Sequence, residues 1–136
     1  MNSEQLSAQL TTDEGKRRRI YTDTVGKLTV GIGRNMSDRD LSDDEIDLML
    51  KNDIDRVIGQ LDAVAPWWKM LSDRRQQALA NMGFNMGVPT LMTFKNSLAL
   101  LQNGKFEQAA DAFMDSKWAG QVGARAVRIT TMIREG

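Results

Sequence analysis

Between Ile46 and Leu61 the apolar side chains return every three or four residues, at Ile46, Met49, Leu50, Ile54, Val57, Ile58 and Leu61. That is the period of one helical face, held long enough to make this the longest single element in the chain. Ser42 and Glu45 stand just ahead of it at the capping-box spacing, in which each side chain satisfies an orphan amide of the first turn. Pro66 has no amide to donate and stops the run. A helix over about 42–64 is predicted, with one apolar stripe along its length, and the rest of the chain must be arranged around it.

Upstream the period changes to two. Leu28, Val30 and Ile32 alternate with Thr29, Gly31 and Gly33, while Val25 and Gly26 supply a turn after Ile20, Tyr21 and Thr22, so a β-hairpin is predicted over 19–33. Its glycines leave one face bare, which weakens a strand unless another group or a ligand must come close. Residues 3–14 form a short helix that Gly15 ends. Downstream, Ser72 opens a helix with Ala78, Leu79, Met82 and Met86 inward, and shorter helices follow near 93–102, 105–115 and 124–134, separated by Asn103-Gly104 and Gly120. No repeat, low-complexity stretch or linker interrupts them. At 136 residues and 41% hydrophobic side chains the chain closes one domain, pinched into lobes. The fold class expected is α+β and mainly helical. A hairpin lobe at about 15–40 is joined by the long helix to a helical lobe at about 67–136, which takes in the N-terminal helix.

Composition excludes several chemistries. Cysteine and histidine are both absent, which removes disulfides, thiolate nucleophiles, Fe–S ligation, the commonest metal ligand and the usual base of a catalytic serine. Neither a metal nor a cofactor is expected. Eighteen basic and eighteen acidic side chains cancel, so no global field draws nucleic acid or an anionic membrane. The charges are nonetheless segregated: residues 38–56 carry eight acids against three bases, whereas Lys16, Arg17, Arg18 and Arg19 run without a break. Either run can be a solvated face or a binding patch. The nine methionines read as core. Trp67 and Trp68, being adjacent on a helix, do not both face inward. No apolar signal core follows Met1 and no segment is long and apolar enough to span a membrane, so a monomer made in the cytoplasm, without stable membrane insertion, is expected.

With thiols and metals set aside, hydrolysis at neutral pH rests on a pair of carboxylates, one protonated and one ionised. Glu14 at a helix end and Asp23 at the hairpin mouth are candidates, with Thr29 on the second strand able to join them. On residue types alone they read as ordinary solvated helix-end and turn groups, and spacing alone does not make an enzyme. The alternation makes a finer expectation: if Leu28, Val30 and Ile32 face the core, Thr29 faces the cleft, as a water-positioning hydroxyl must. A strict two-residue turn at Val25-Gly26 would put Asp23 opposite Leu28, so a wider loop or a bulge is expected around Asp23.

The stretch Asp13-Glu14-Gly15, then Ile20-Tyr21-Thr22-Asp23-Thr24, Gly26 and Thr29-Val30-Gly31-Ile32-Gly33, closely resembles the active-site segment of the T-even phage lysozyme family. The resemblance resumes in Asn81-Met82-Gly83-Phe84-Asn85-Met86-Gly87 and in Phe94-Lys95-Asn96-Ser97-Leu98. It ends in Ser116-Lys117-Trp118 with Gln121, Arg125, Arg128 and Thr130-Thr131. It implies a muramidase acting on peptidoglycan glycan strands by inversion. Glu14 would be the general acid, and Asp23 and Thr29 the pair that positions the attacking water. Phe84 and Ser97 would line the sugar groove, and Gln121 and Arg125 would form a polar cluster approaching Glu14. A cation there would oppose the raised pKa that an acid needs at pH 7. Release to the wall through a separate pore, for host lysis, is implied as well.

Three departures accompany the resemblance: Arg34 stands where relatives carry histidine, the interlobe loop is shorter, and the chain stops at Gly136 before a terminal helix. Two other classes compete. A lytic transglycosylase needs only the glutamate, and a catalytically silent wall-binding module needs neither carboxylate.

Overall fold

The computed structural model describes residues 1–136, which divide into two compact units, Met1–Leu48 and Met49–Gly136. The first holds helix α1 (Ser3–Glu14) and an antiparallel sheet of β1 (Arg17–Thr22), β2 (Leu28–Gly31) and β3 (Arg34–Asn35), in that order. The N-terminal helix, expected with the helical lobe, falls in this unit. Asn2 caps α1 by accepting from the Gln5 amide, and Gly15 closes it at φ +75°, donating to the Thr11 carbonyl. A left-handed φ of that kind suits glycine, as the sequence led one to expect.

The hairpin gains a third strand, because the turn at Ile32-Gly33 brings Arg34 and Asn35 back alongside Val30 and Thr29. This corrects the expected burial pattern. Thr29 is only 4% exposed, whereas Leu28 and Ile32 are 49% and 42% exposed. The two faces of β2 alternate as foreseen, but the covered one is Thr29's. Thr29 lies in the middle strand, paired with Tyr21 on one side and Asn35 on the other, so neighbours flank it from both sides. Leu28 sits at the strand's edge and Ile32 lies beyond its end.

Helix α2 (Asp43–Val64) begins in the capping box: the Glu45 amide donates to Ser42 Oγ, and the Ser42 amide donates to Glu45 Oε1. Arg34 adds an ion pair to the same carboxylate. The Ser42 amide and hydroxyl, with Arg34, hold the Glu45 pKa at about 2 against an ordinary 4.5. Because the folded-state pKa is depressed, the stabilisation is complete above about 4.5 and is lost as pH falls towards 2. Wild type should therefore lose melting temperature more steeply than Glu45→Gln between those limits. Parallel melting curves against pH would show that the carboxylate contributes nothing to the cap.

Only the C-terminal half of the expected stripe on α2 is covered. Val57 and Leu61 are buried, whereas Ile46, Met49, Leu50 and Ile54 stand about half exposed. In the second unit a 3-10 turn (Pro66–Met70) leads to α3 (Asp73–Met86), α4 (Val88–Leu91), α5 (Lys95–Gln102), α6 (Phe106–Met114), α7 (Lys117–Val122) and α8 (Ala124–Glu135). The fold is thus mainly helical with one small sheet. Leu79, Met82, Leu91, Leu101, Phe113, Ile129 and Ile133 are fully buried in the core of this unit, where removal of apolar surface from water holds the helices together. Trp68 is buried and donates to Asp62, while Trp67 is partly exposed. The separator assigned to Gly120 lies elsewhere. Gly120 is inside α7, and it is Gly123, at φ +57°, that breaks the chain between α7 and α8.

Candidate active site

The first unit assembles Glu14 from two local constraints. Glu14 is the last residue of α1, and Gly15 turns the chain directly into β1. The segment after β2 then returns along it: a β-carbon placed on Gly33 would stand 2.8 Å from both Cδ and Oε2 of Glu14. The carboxyl of Glu14 is therefore seated against the backbone of Gly33, itself at φ +67°. Of the glycines on the bare face only Gly33 serves that approach, since nothing lies within 4 Å of where a β-carbon on Gly31 would stand. Glu14 otherwise remains exposed to solvent.

Asp23 stands at the start of a five-residue connection between Thr22 and Leu28, which pair across β1 and β2. This is the wide loop that strand parity required. One carboxylate oxygen, Oδ1, accepts from the amides of Val25 at 3.0 Å and Lys27 at 2.8 Å. The backbone closes the loop further, with the Asp23 amide donating to the Lys27 carbonyl and the Gly26 amide to the Asp23 carbonyl. Oδ2 takes no protein donor. Thr29 Oγ1 donates to the Lys27 carbonyl at 3.2 Å. Asp23 and Thr29 are thus tied to one residue, Lys27, whose amide holds the carboxylate and whose carbonyl holds the hydroxyl. The structure does bring this pair together, through a backbone link that sequence reading missed.

In the second unit, Phe84 is 46% exposed and lies with Leu50, Ile54, Asn81 and Arg125 around a groove of about 350 Å³. Arg125, in the first turn of α8, donates through Nε at 3.0 Å and through its terminal nitrogen at 2.8 Å to Asn81 Oδ1. Two donors on one acceptor fix the plane of the guanidinium. Asn81 was not singled out from sequence, although its place three residues before Phe84 on α3 puts both on one helical face. Gln121 is exposed on α7. Ser97 differs from the rest: it is 6% exposed on α5, packed beside Leu98, and offers a ligand little surface.

A sequence model described as phage lysozyme matches residues 11–132, a span that holds Glu14, Asp23 and Thr29 as well as Phe84, Ser97, Gln121 and Arg125. The chain belongs to the phage lysozyme family. Among its relatives is the pre-baseplate central spike protein Gp5 of Enterobacteria phage T4, 30% identical over 96% of this chain but only 28% of the spike protein's length. Probable T4-type lysozymes 1 and 2 of Dictyostelium discoideum are 28% and 26% identical, over 96% of this chain and 94% of each relative. The family module accounts for nearly all of the two amoebal proteins and for about a quarter of the spike.

Proposed function

We propose that this chain hydrolyses peptidoglycan as a muramidase, cutting the β-1,4 bond between N-acetylmuramic acid and N-acetylglucosamine with inversion. Glu14 is the acid that protonates the departing glycosidic oxygen. Asp23 acts as base through Oδ2, the oxygen its own loop leaves free, and Thr29 gives the attacking water a second anchor. The observation that carries this reading is the division of the Asp23 carboxylate. One oxygen is fixed by two amides and the other is open, and the fixed oxygen shares the Lys27 backbone with the Thr29 hydroxyl. A water-holding pair fits an inverting hydrolase and has no task in a transglycosylase. Phe84, Gln121 and Arg125 are glycan-contacting groups in this reading, with Asn81 orienting Arg125. The biological setting proposed is lysis of the host wall. The spike-protein relative supports a second setting, wall cutting within a phage particle.

The product decides the chemistry. Wall glycan digested by the protein should yield reducing ends carrying the mass of one added water, and proton NMR before mutarotation should show the α-anomer first. An anhydro product would assign the chain to lytic transglycosylation. An initial β-anomer would make Asp23 a nucleophile and remove the water-positioning role from Thr29.

A further inference from the structure

We propose that Asp38 is a positioning residue of the hydrolytic site, holding the Lys27 ammonium away from Asp23 Oδ2 so that this oxygen stays free for water; the inference rests on the muramidase reading above. Lys27 serves the site through its backbone. Its amide donates to Asp23 Oδ1 at 2.8 Å and its carbonyl accepts from Thr29 Oγ1 at 3.2 Å. The side chain of the same residue carries a positive charge on a flexible four-carbon stem. It stands two residues before Thr29, and alternation sends both side chains to one face of the hairpin. A lysine whose amide is bonded to a carboxylate with one open oxygen has an ion-pair partner close at hand, yet Lys27 does not take it. Its Nζ lies 3.1 Å from each oxygen of Asp38 instead.

Asp38 is itself held in place. Asn35, which pairs with Thr29 across β2 and β3, donates through Nδ2 to Asp38 Oδ2 at 2.9 Å, and its own Oδ1 accepts from the amides of Ser37 and Asp38. Ser37 Oγ in turn accepts from the Leu28 amide, and the Leu28 carbonyl accepts from the Met36 amide, so residues 35–38 are fastened along the start of β2. The hydrogen bonds from Lys27 and Asn35 keep the Asp38 carboxyl below its usual pKa, hence charged. Exposed ion pairs add little to stability. A surface carboxylate fastened this firmly points to a different duty: it decides which of two carboxylates the ammonium meets. On Asp23 Oδ2 the ammonium would occupy the lone pairs that must take a proton from water, and its charge would make the carboxylate a poorer proton acceptor.

Asp38→Ala frees the ammonium. An exposed ion pair outweighs its open form by about two- to fivefold, which leaves about a third to a sixth of the molecules with a free Asp23 oxygen. With soluble wall glycan as substrate, kcat should therefore fall about three- to sixfold while KM stays within about twofold of wild type. Adding Lys27→Met should bring kcat back to within about twofold of wild type, because methionine keeps the peptide contacts and removes the competing charge. Asp40→Ala, which removes a neighbouring exposed acid that makes no ion pair, should change neither constant. A double variant as slow as Asp38→Ala would make the Lys27–Asp38 pair a structural brace, and an Asp38→Ala protein as fast as wild type would give the pair no part in turnover; either result overturns the proposal. A crystal structure of Asp38→Ala locates the ammonium without any turnover. Lys27 Nζ is expected within hydrogen-bonding distance of Asp23 Oδ2, and an ammonium pointing into solvent removes this inference while a wild type that cuts wall glycan keeps the muramidase reading. If the ammonium is found on Asp23 but wild type releases no reducing ends, the muramidase reading is lost and the competition between the two carboxylates stands.

Discussion

Glu14→Gln should lower the lysis of outer-membrane-permeabilised Gram-negative cells by about 10²- to 10⁴-fold, the range that a positioned general acid supplies. The same variant should melt within about 2 °C of wild type, because exposed substitutions usually stay within about 0.5 kcal/mol. The structure makes the separation sharp. Glu14 is exposed at the end of α1, makes no side-chain hydrogen bond to the protein, and its carboxyl touches the backbone side of Gly33. Glutamine fits the same space. What it lacks is the proton. A folded Glu14→Gln protein with wild-type lysis in a turbidity assay would falsify the assignment of Glu14 as the acid.

Asp23 allows its structural and chemical duties to be separated by two substitutions. In Asp23→Asn the amide oxygen can still accept from Val25 and Lys27, as Oδ1 does, while an amide nitrogen replaces the oxygen proposed to activate water. Activity should fall at least about a hundredfold with little change in melting temperature. Asp23→Ala removes both loop hydrogen bonds as well, each worth about 1 kcal/mol net, and should melt lower by roughly 4 to 8 °C. If Asp23→Asn lyses cells as wild type does, the carboxylate holds the loop and nothing more.

What could be read from sequence is what depends on near neighbours. The Ser42–Glu45 box, the Gly15 stop and the wide loop at Asp23 follow from spacings of a few residues, and each is realised. The exchange of Gly120 for Gly123 has a simple cause. Glycine is permitted in either sign of φ, so its presence marks where a break is allowed, and only the path of the flanking helices selects one. The burial of Thr29 in place of Leu28 and Ile32 escaped because alternation distinguishes two faces without telling which is covered. The Asn81–Arg125 clamp joins positions 44 residues apart, and a lone asparagine carries no sign of a distant partner. Likewise the spacing along α2 describes a stripe, but not that its first half is left about half exposed.

The contact between Gly33 and Glu14 bears on how such chains diverge. Asparagine tolerates a left-handed φ far better than most residues, so backbone conformation alone would let it drift into position 33. A β-carbon there would push the end of the exposed Glu14 side chain off its present seat, an effect that lasts only while residue 14 is long. A relative with a short side chain at position 14 is released from that constraint. Positions 14 and 33 should therefore vary together, and a non-glycine at 33 in a relative should coincide with loss of the glutamate at 14.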